Sequence, residues 1–115
     1  MSSGFERGSV VLVRFDSAQG REIRKTRPAV VVSNDAACRF DAVVQVVPVT
    51  RLTDRGLCPY EVRVESEESG LAKPSRLVSN QVRTVSKRRI AEVLGRITRA
   101  EDSALDQALR IQLAL

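Results

Sequence analysis

Up to residue 98 this chain gathers its apolar residues into short, valine-rich runs. Each is closed by glycine, proline or a polar cluster. GSVVLVRF (Gly8 to Phe15), PAVVVS (Pro28 to Ser33), AVVQVVPV (Ala42 to Val49) and YEVRV (Tyr60 to Val64) are the clearest. β-Branched side chains lose freedom against a helix turn and pack well on a pleated surface, so these runs predict strands. YEVRV also alternates, as a half-buried strand should. Pro28 opens its strand, where no ladder donor is needed. Pro48 points to an edge strand or a bulge. SRLVSNQVRTVS (Ser75 to Ser86) reads as one further strand.

The polar stretches between these runs read as connections. DSAQGREIRKT (Asp16 to Thr26) is a long loop around a glycine, ESEESGLAKP is acidic and flexible, and NDAACRFD turns the chain with Asn34 and Asp35 shaping the turn. The pattern changes at Thr98. Glu101 follows three residues later, which is a capping box, and Ala104, Leu105, Ala108 and Leu109 then recur at helical spacing as one buried face. The expected fold is mainly β with a C-terminal helix, an α+β arrangement of about five strands in a small barrel or sandwich. At 115 residues and 43% hydrophobic, the chain reads as a single domain spanning 1–115 with its own core.

Charge and composition narrow the function. The net charge of +5 suits an anionic partner such as nucleic acid, although it also serves simple solubility. There is no histidine, so both the commonest general base and the commonest metal ligand are missing. The two cysteines, Cys38 and Cys58, have no metal-site spacing and read as reduced and structural, so no metal and no cofactor is expected. No apolar run reaches bilayer-spanning length, and MSSGFERGS lacks the apolar stretch of a signal peptide. A cytoplasmic protein without a membrane partner is expected. Three phenylalanines and one tyrosine are a thin supply for a general single-strand binder, and Phe15 and Tyr60 read as core.

KTRPAVVVSND (Lys25 to Asp35) sets cations directly against a buried strand. By itself Arg27 is either a solvated end cap or a working residue. With GSV, QGRE, VVPVT ending at Thr50, YEV at Tyr60 to Val62, NQVRTVSKRRI, LGRIT and the leucine-rich tail, however, this stretch forms an ordered set over nearly the whole chain. That set resembles the MazF/PemK toxins of bacterial toxin–antitoxin pairs. The resemblance implies an SH3-like small barrel of the MazF/PemK/CcdB type and a two-fold homodimer. It also implies a ribosome-independent endoribonuclease that cuts single-stranded RNA at short sequences, neutralised by an acidic, MazE-like antitoxin. The reaction it implies needs no metal: the RNA 2′-hydroxyl attacks the adjacent phosphorus and leaves a cyclic phosphate and a 5′-hydroxyl.

Carried residue by residue, the resemblance makes Arg27 and Thr50 the catalytic pair. It places Glu22, Arg24 and Lys25 of the first loop, Arg51 and Gln81 along the RNA. Arginine fits a phosphate because its planar fork holds two oxygens at once. Glu22 could accept from a base amino group or pair with Arg21 or Arg24. Gln81 could read a base edge or serve a turn. Arg51 stands where relatives often carry a small polar residue, so base choice here is open. KRR at Lys87 to Arg89 reads as a solvated cluster. Two other readings compete: a gyrase poison of the same barrel type and a non-catalytic nucleic-acid-binding barrel. The chain ends IQLAL, without the aromatic that the CcdB branch carries near its C-terminus.

Overall fold

The valine runs meet as antiparallel neighbours in a computed structural model that describes residues 4–15 and 25–115. β1 (Ser9–Phe15) lies between β2 (Lys25–Val31) and β7 (Ile90–Arg96). On its far side β2 pairs with β3 (Val43–Arg51), which continues to β5 (Ser75–Val78) and then to β4 (Glu61–Val64). β6 (Arg83–Ser86) pairs with the first half of β3, and β5 with its last residues. The path β4-β5-β3-β2-β1-β7, with β6 beside β3, makes seven strands where the sequence suggests about five. Among the described residues the outer strands β4 and β7 do not pair with each other, so the sheet is a small, barrel-like fold without a closed ring of pairing.

Strands β1, β2 and β3 bury residues on both of their faces. Val30, Val47, Val49, Val62, Val64 and Leu77 form one cluster with Leu105 and Ala108 of the C-terminal helix α2 (Arg99–Leu113). Val11, Val13, Ala29, Val31, Val44, Val46 and Val85 form the other, against Cys38. The side-chain period of two explains the split: neighbouring residues on β2 and β3 serve opposite cores. The Thr98 hydroxyl accepts from the Glu101 N–H, and the Glu101 carboxylate accepts from the Thr98 N–H, which is the capping box the sequence implies. Leu105 and Ala108 are buried and Leu109 half-buried, but Ala104 is exposed, so the apolar stripe is narrower than its spacing suggests.

Three local readings change. NDAACRFD is a helix, α1 (Asp35–Phe40), capped by Asn34, whose Oδ1 accepts from the Ala37 N–H. Six residues are too few to display a helical period, but Cys38 anchors the turn in the second core. The acidic connection holds a short 3-10 turn at Glu67–Ser69. SRLVSNQVRTVS is two strands. Leu77 of β5 pairs with Val49 and Arg83 of β6 with Val46, so six steps along one chain answer three along the other. The three surplus residues, Ser79–Gln81, leave the ladder as a 3-10 turn. Pro48 sits in β3 at this changeover, between the stretch paired with β6 and the stretch paired with β5. A central strand tolerates its missing N–H at such a break, so proline needs no sheet edge here.

Candidate active site

Where the second core runs out, the same face of the sheet turns polar. Arg27 lies two residues beyond buried Ala29 on β2, and Thr50 two residues beyond Pro48, the partner of Ala29, on β3. Carrying that register outward brings Arg27 level with Thr50. Thr50 is in turn the direct partner of Arg76 on β5, and Val78 of β5 pairs with Glu61 of β4. Directly opposed residues project from the same face. Arg27, Thr50, Arg76 and Glu61 therefore converge, and they line a pocket of about 280 Å³ with Arg55, Tyr60, Asn80 and Gln81. The 3-10 turn that leaves the ladder supplies the last two.

The electrostatics centre on Glu61. Its side chain is only 1% exposed, and its carboxylate accepts three hydrogen bonds. Oε2 accepts from Arg55 Nη2 at 2.7 Å and from Arg76 Nη1, and Oε1 accepts from the Cys58 N–H at 3.0 Å. Burial alone would disfavour the charge. The hydrogen bonds from Arg55 and the Cys58 N–H, with the nearby charge of Arg76, outweigh it and hold the carboxyl below its usual range. Arg76 is fixed a second time, its Nε donating to the Arg51 carbonyl at 3.2 Å. Hydrogen bonding to Cys58 raises the Tyr60 hydroxyl above its ordinary range, so it stays protonated at neutral pH. With three guanidiniums and one carboxylate on its wall, the pocket carries a net charge of two positive and suits a phosphate. Among the described residues no group of cysteines, aspartates and glutamates is placed to hold a metal ion, and no helix is long and apolar enough to cross a membrane.

Comparison with known proteins places this chain in a family. A model described as PemK-like, MazF-like toxin of type II toxin-antitoxin system matches residues 6–113. The chain belongs to that family. Endoribonuclease MazF9 of Mycobacterium tuberculosis is 36% identical over 114 residues, which is 95% of this chain and 96% of the relative. The fold recurs in an endoribonuclease from Mycobacterial species solved in complex with its cognate antitoxin, at TM-score 0.80 and 24% identity, covering 96% of each chain. It recurs again in MazF from Deinococcus radiodurans, at TM-score 0.78 and 24% identity, covering 96% of this chain and 97% of the other.

In this PemK/MazF-family toxin the structure brings together three of the residues singled out in the sequence. Arg27 is exposed and Thr50 half-buried on adjoining strands, and exposed Gln81 reaches the same pocket from the 3-10 turn. Arg51 is exposed at the end of β3 and does not line the pocket; strand alternation turns it away from Thr50, and its carbonyl, held by Arg76, is its link to the site. Glu22 and Arg24 lie outside the described residues. Lys25 opens β2 opposite Phe15. Tyr60 is half-buried on the pocket wall and belongs to neither core cluster, because the chain enters β4 only at Glu61. Phe15 packs against the second core, as the sequence suggests. Arg55, Glu61, Arg76 and Asn80 were not legible as site residues. The one signal for Glu61 is the alternation of YEVRV, which sets Glu61 and Arg63 on the face opposite Val62 and Val64.

Proposed function

We propose that residues 1–115 act as a single toxin domain, a cytoplasmic endoribonuclease that cuts single-stranded RNA at short sequences, without the ribosome and without a metal. The observation that carries this reading is the convergence of Arg27 and Thr50 in one cationic pocket. Family membership and the 36% identity to a named endoribonuclease support it.

The chemistry follows from what the pocket offers. The RNA 2′-oxygen loses its proton and bonds to phosphorus, and the bond from phosphorus to the 5′-oxygen breaks as that oxygen gains a proton. A 2′,3′-cyclic phosphate and a 5′-hydroxyl result. Charge builds on the non-bridging oxygens along the way, and fixed donors aimed there lower the barrier most. Arg27 supplies a planar pair of donors, anchored by a strand whose next residues are core. The Thr50 hydroxyl donates to the phosphate or holds the 2′-hydroxyl. Glu61 is a poor base, because three donors already hold its carboxylate, its pKa is lowered and its side chain is closed to solvent.

The active form is a homodimer that gathers two cationic faces around one RNA groove, and an acidic antitoxin segment covers that groove. The test is to incubate the purified protein with total RNA, with and without EDTA, and to map the ends. Cleavage that survives EDTA and leaves cyclic phosphates is expected. Intact RNA, or cleavage restored only by added magnesium or zinc, would sink the reading.

A further inference from the structure

Thr50 has a neighbour that is held in place by two hydrogen bonds. Arg76 faces Thr50 directly across the ladder, and its side chain is 16% exposed. Glu61 holds one arm of its guanidinium and the Arg51 carbonyl holds its Nε. These two bonds use Nε and Nη1, on either side of Nη2, which has no protein partner among the described residues. An arginine that served only to neutralise Glu61 would duplicate Arg55, which already donates to the same oxygen. Arg76 is the more buried of the two and the one whose partner strand carries Thr50.

Resting on the reading of this pocket as an RNA-cleaving site, we propose that Arg76 is a second phosphate-contacting residue and that Glu61 is the positioning residue that aims it. Arg27, exposed at a strand end, and Arg76, tethered from behind, would take the phosphate from two sides. Tethering matters because an arginine side chain loses much rotamer freedom when it is fixed. Glu61 and Arg51 impose that loss on folding, before RNA arrives, so the donor needs no reorganisation during the reaction. The carboxylate does not cancel the site, because Arg55 balances its charge and leaves Arg76 free to act as a cation.

The experiment is single-turnover cleavage of a short RNA with a phosphorothioate at the cut linkage, each diastereomer in turn, beside the all-oxygen RNA. Wild type should be slowed by sulfur at the oxygen that Arg76 contacts. Arg76→Met keeps the stem, and should cut the all-oxygen RNA about a hundredfold more slowly and lose the sulfur penalty at that diastereomer. Arg76→Lys should restore part of the rate, because an ammonium cannot reproduce the fork. Glu61→Gln should slow cleavage by up to about a hundredfold with RNA affinity little changed, as a misaimed donor does. Thermal melting of each variant checks the fold, and if the Met variant melts early the Lys variant's sulfur penalty decides. Folded Arg76 variants with wild-type rate and wild-type sulfur penalties would overturn this inference alone. A wild type that leaves RNA intact would overturn the reading of the pocket and this inference with it.

Discussion

Thr50 on β3 and Arg76 on β5 are direct partners in an antiparallel ladder, and the next pair inward on that side, Val49 and Leu77, is buried in the first core. A hydroxyl and a guanidinium are thus held side by side on the outer face by the packing of their sequence neighbours on the inner one. The arrangement explains how strand pairing, rather than a loop, positions these two residues. It also makes the site's rigidity testable through the residues themselves.

Removing the Arg27 guanidinium should damage rate far more than binding. Arg27→Ala should slow single-turnover cleavage about a hundredfold to a thousandfold, the loss of about 3–4 kcal/mol of transition-state contact. Thr50→Val keeps shape and loses the hydroxyl, so it should be slow as well. If both act on one phosphate, the double variant should cost less than the product of the two single effects. Near-normal cleavage by folded Arg27→Ala would return Arg27 to the role of solvated end cap.

Acid should loosen the fold through two carboxylates, buried Glu61 and half-buried Glu101. Burial works against the charge of Glu101, but the Thr98 N–H, the Ser66 hydroxyl and the Glu65 N–H all donate to it, and its pKa is lowered. Glu61 is lowered likewise. Both bind a proton more weakly folded than unfolded. Their contribution is therefore present above the unfolded value, about 4.3, and is lost as pH falls through the folded values. The melting temperature should drop on going from pH 6 to about pH 3, and Glu101→Gln should make that drop shallower while costing about 1 kcal/mol at neutral pH. Equal slopes for variant and wild type would count against the assignment.

Backbone meets backbone where the 3-10 turn at Glu67–Ser69 packs on β7. A Cβ on Gly95 would lie 2.2 Å from the Glu68 carbonyl oxygen, and one on Gly70 would lie 2.2 Å from that of Leu94. Gly70 also has a φ of +74°. Gly95→Ala should therefore destabilise by about 2–3 kcal/mol, as overpacking against an unyielding neighbour does. Chemical denaturation measures it, and Gly4→Ala is the control: no described residue lies within 4 Å of a Cβ there, so it reports only the cost of its positive φ, about 1 kcal/mol. A Gly95 variant no less stable than that control would show that the turn can move.

Antitoxin capture should be steered by charge. The protomer carries a net +5, and pairing two protomers doubles the field that an acidic segment meets. Stopped-flow association should slow by tenfold or more between about 50 mM and 500 mM salt, with the dissociation rate changing less. An on-rate indifferent to salt rules out electrostatic steering.

The sequence alone determined four of the seven strands, the terminal helix with its capping box, and a cationic protein without imidazole. Each of these is a local property: valine resists helix, Thr98 and Glu101 cap each other across one turn, and composition needs no fold. Arg27, Thr50 and Gln81 were legible through their place in an ordered set of motifs. What the sequence left open depended on register. Whether SRLVSNQVRTVS is one strand or two is decided by β3, which must be matched in two places and forces Ser79–Gln81 out of the ladder, bringing Asn80 and Gln81 to the pocket. Nothing near Arg76 says that it faces Thr50, and nothing in YEVRV says that Glu61 will be sealed between two arginines. Those facts belong to pairings between residues far apart in the chain, and only the folded sheet brings such residues within a hydrogen bond of one another.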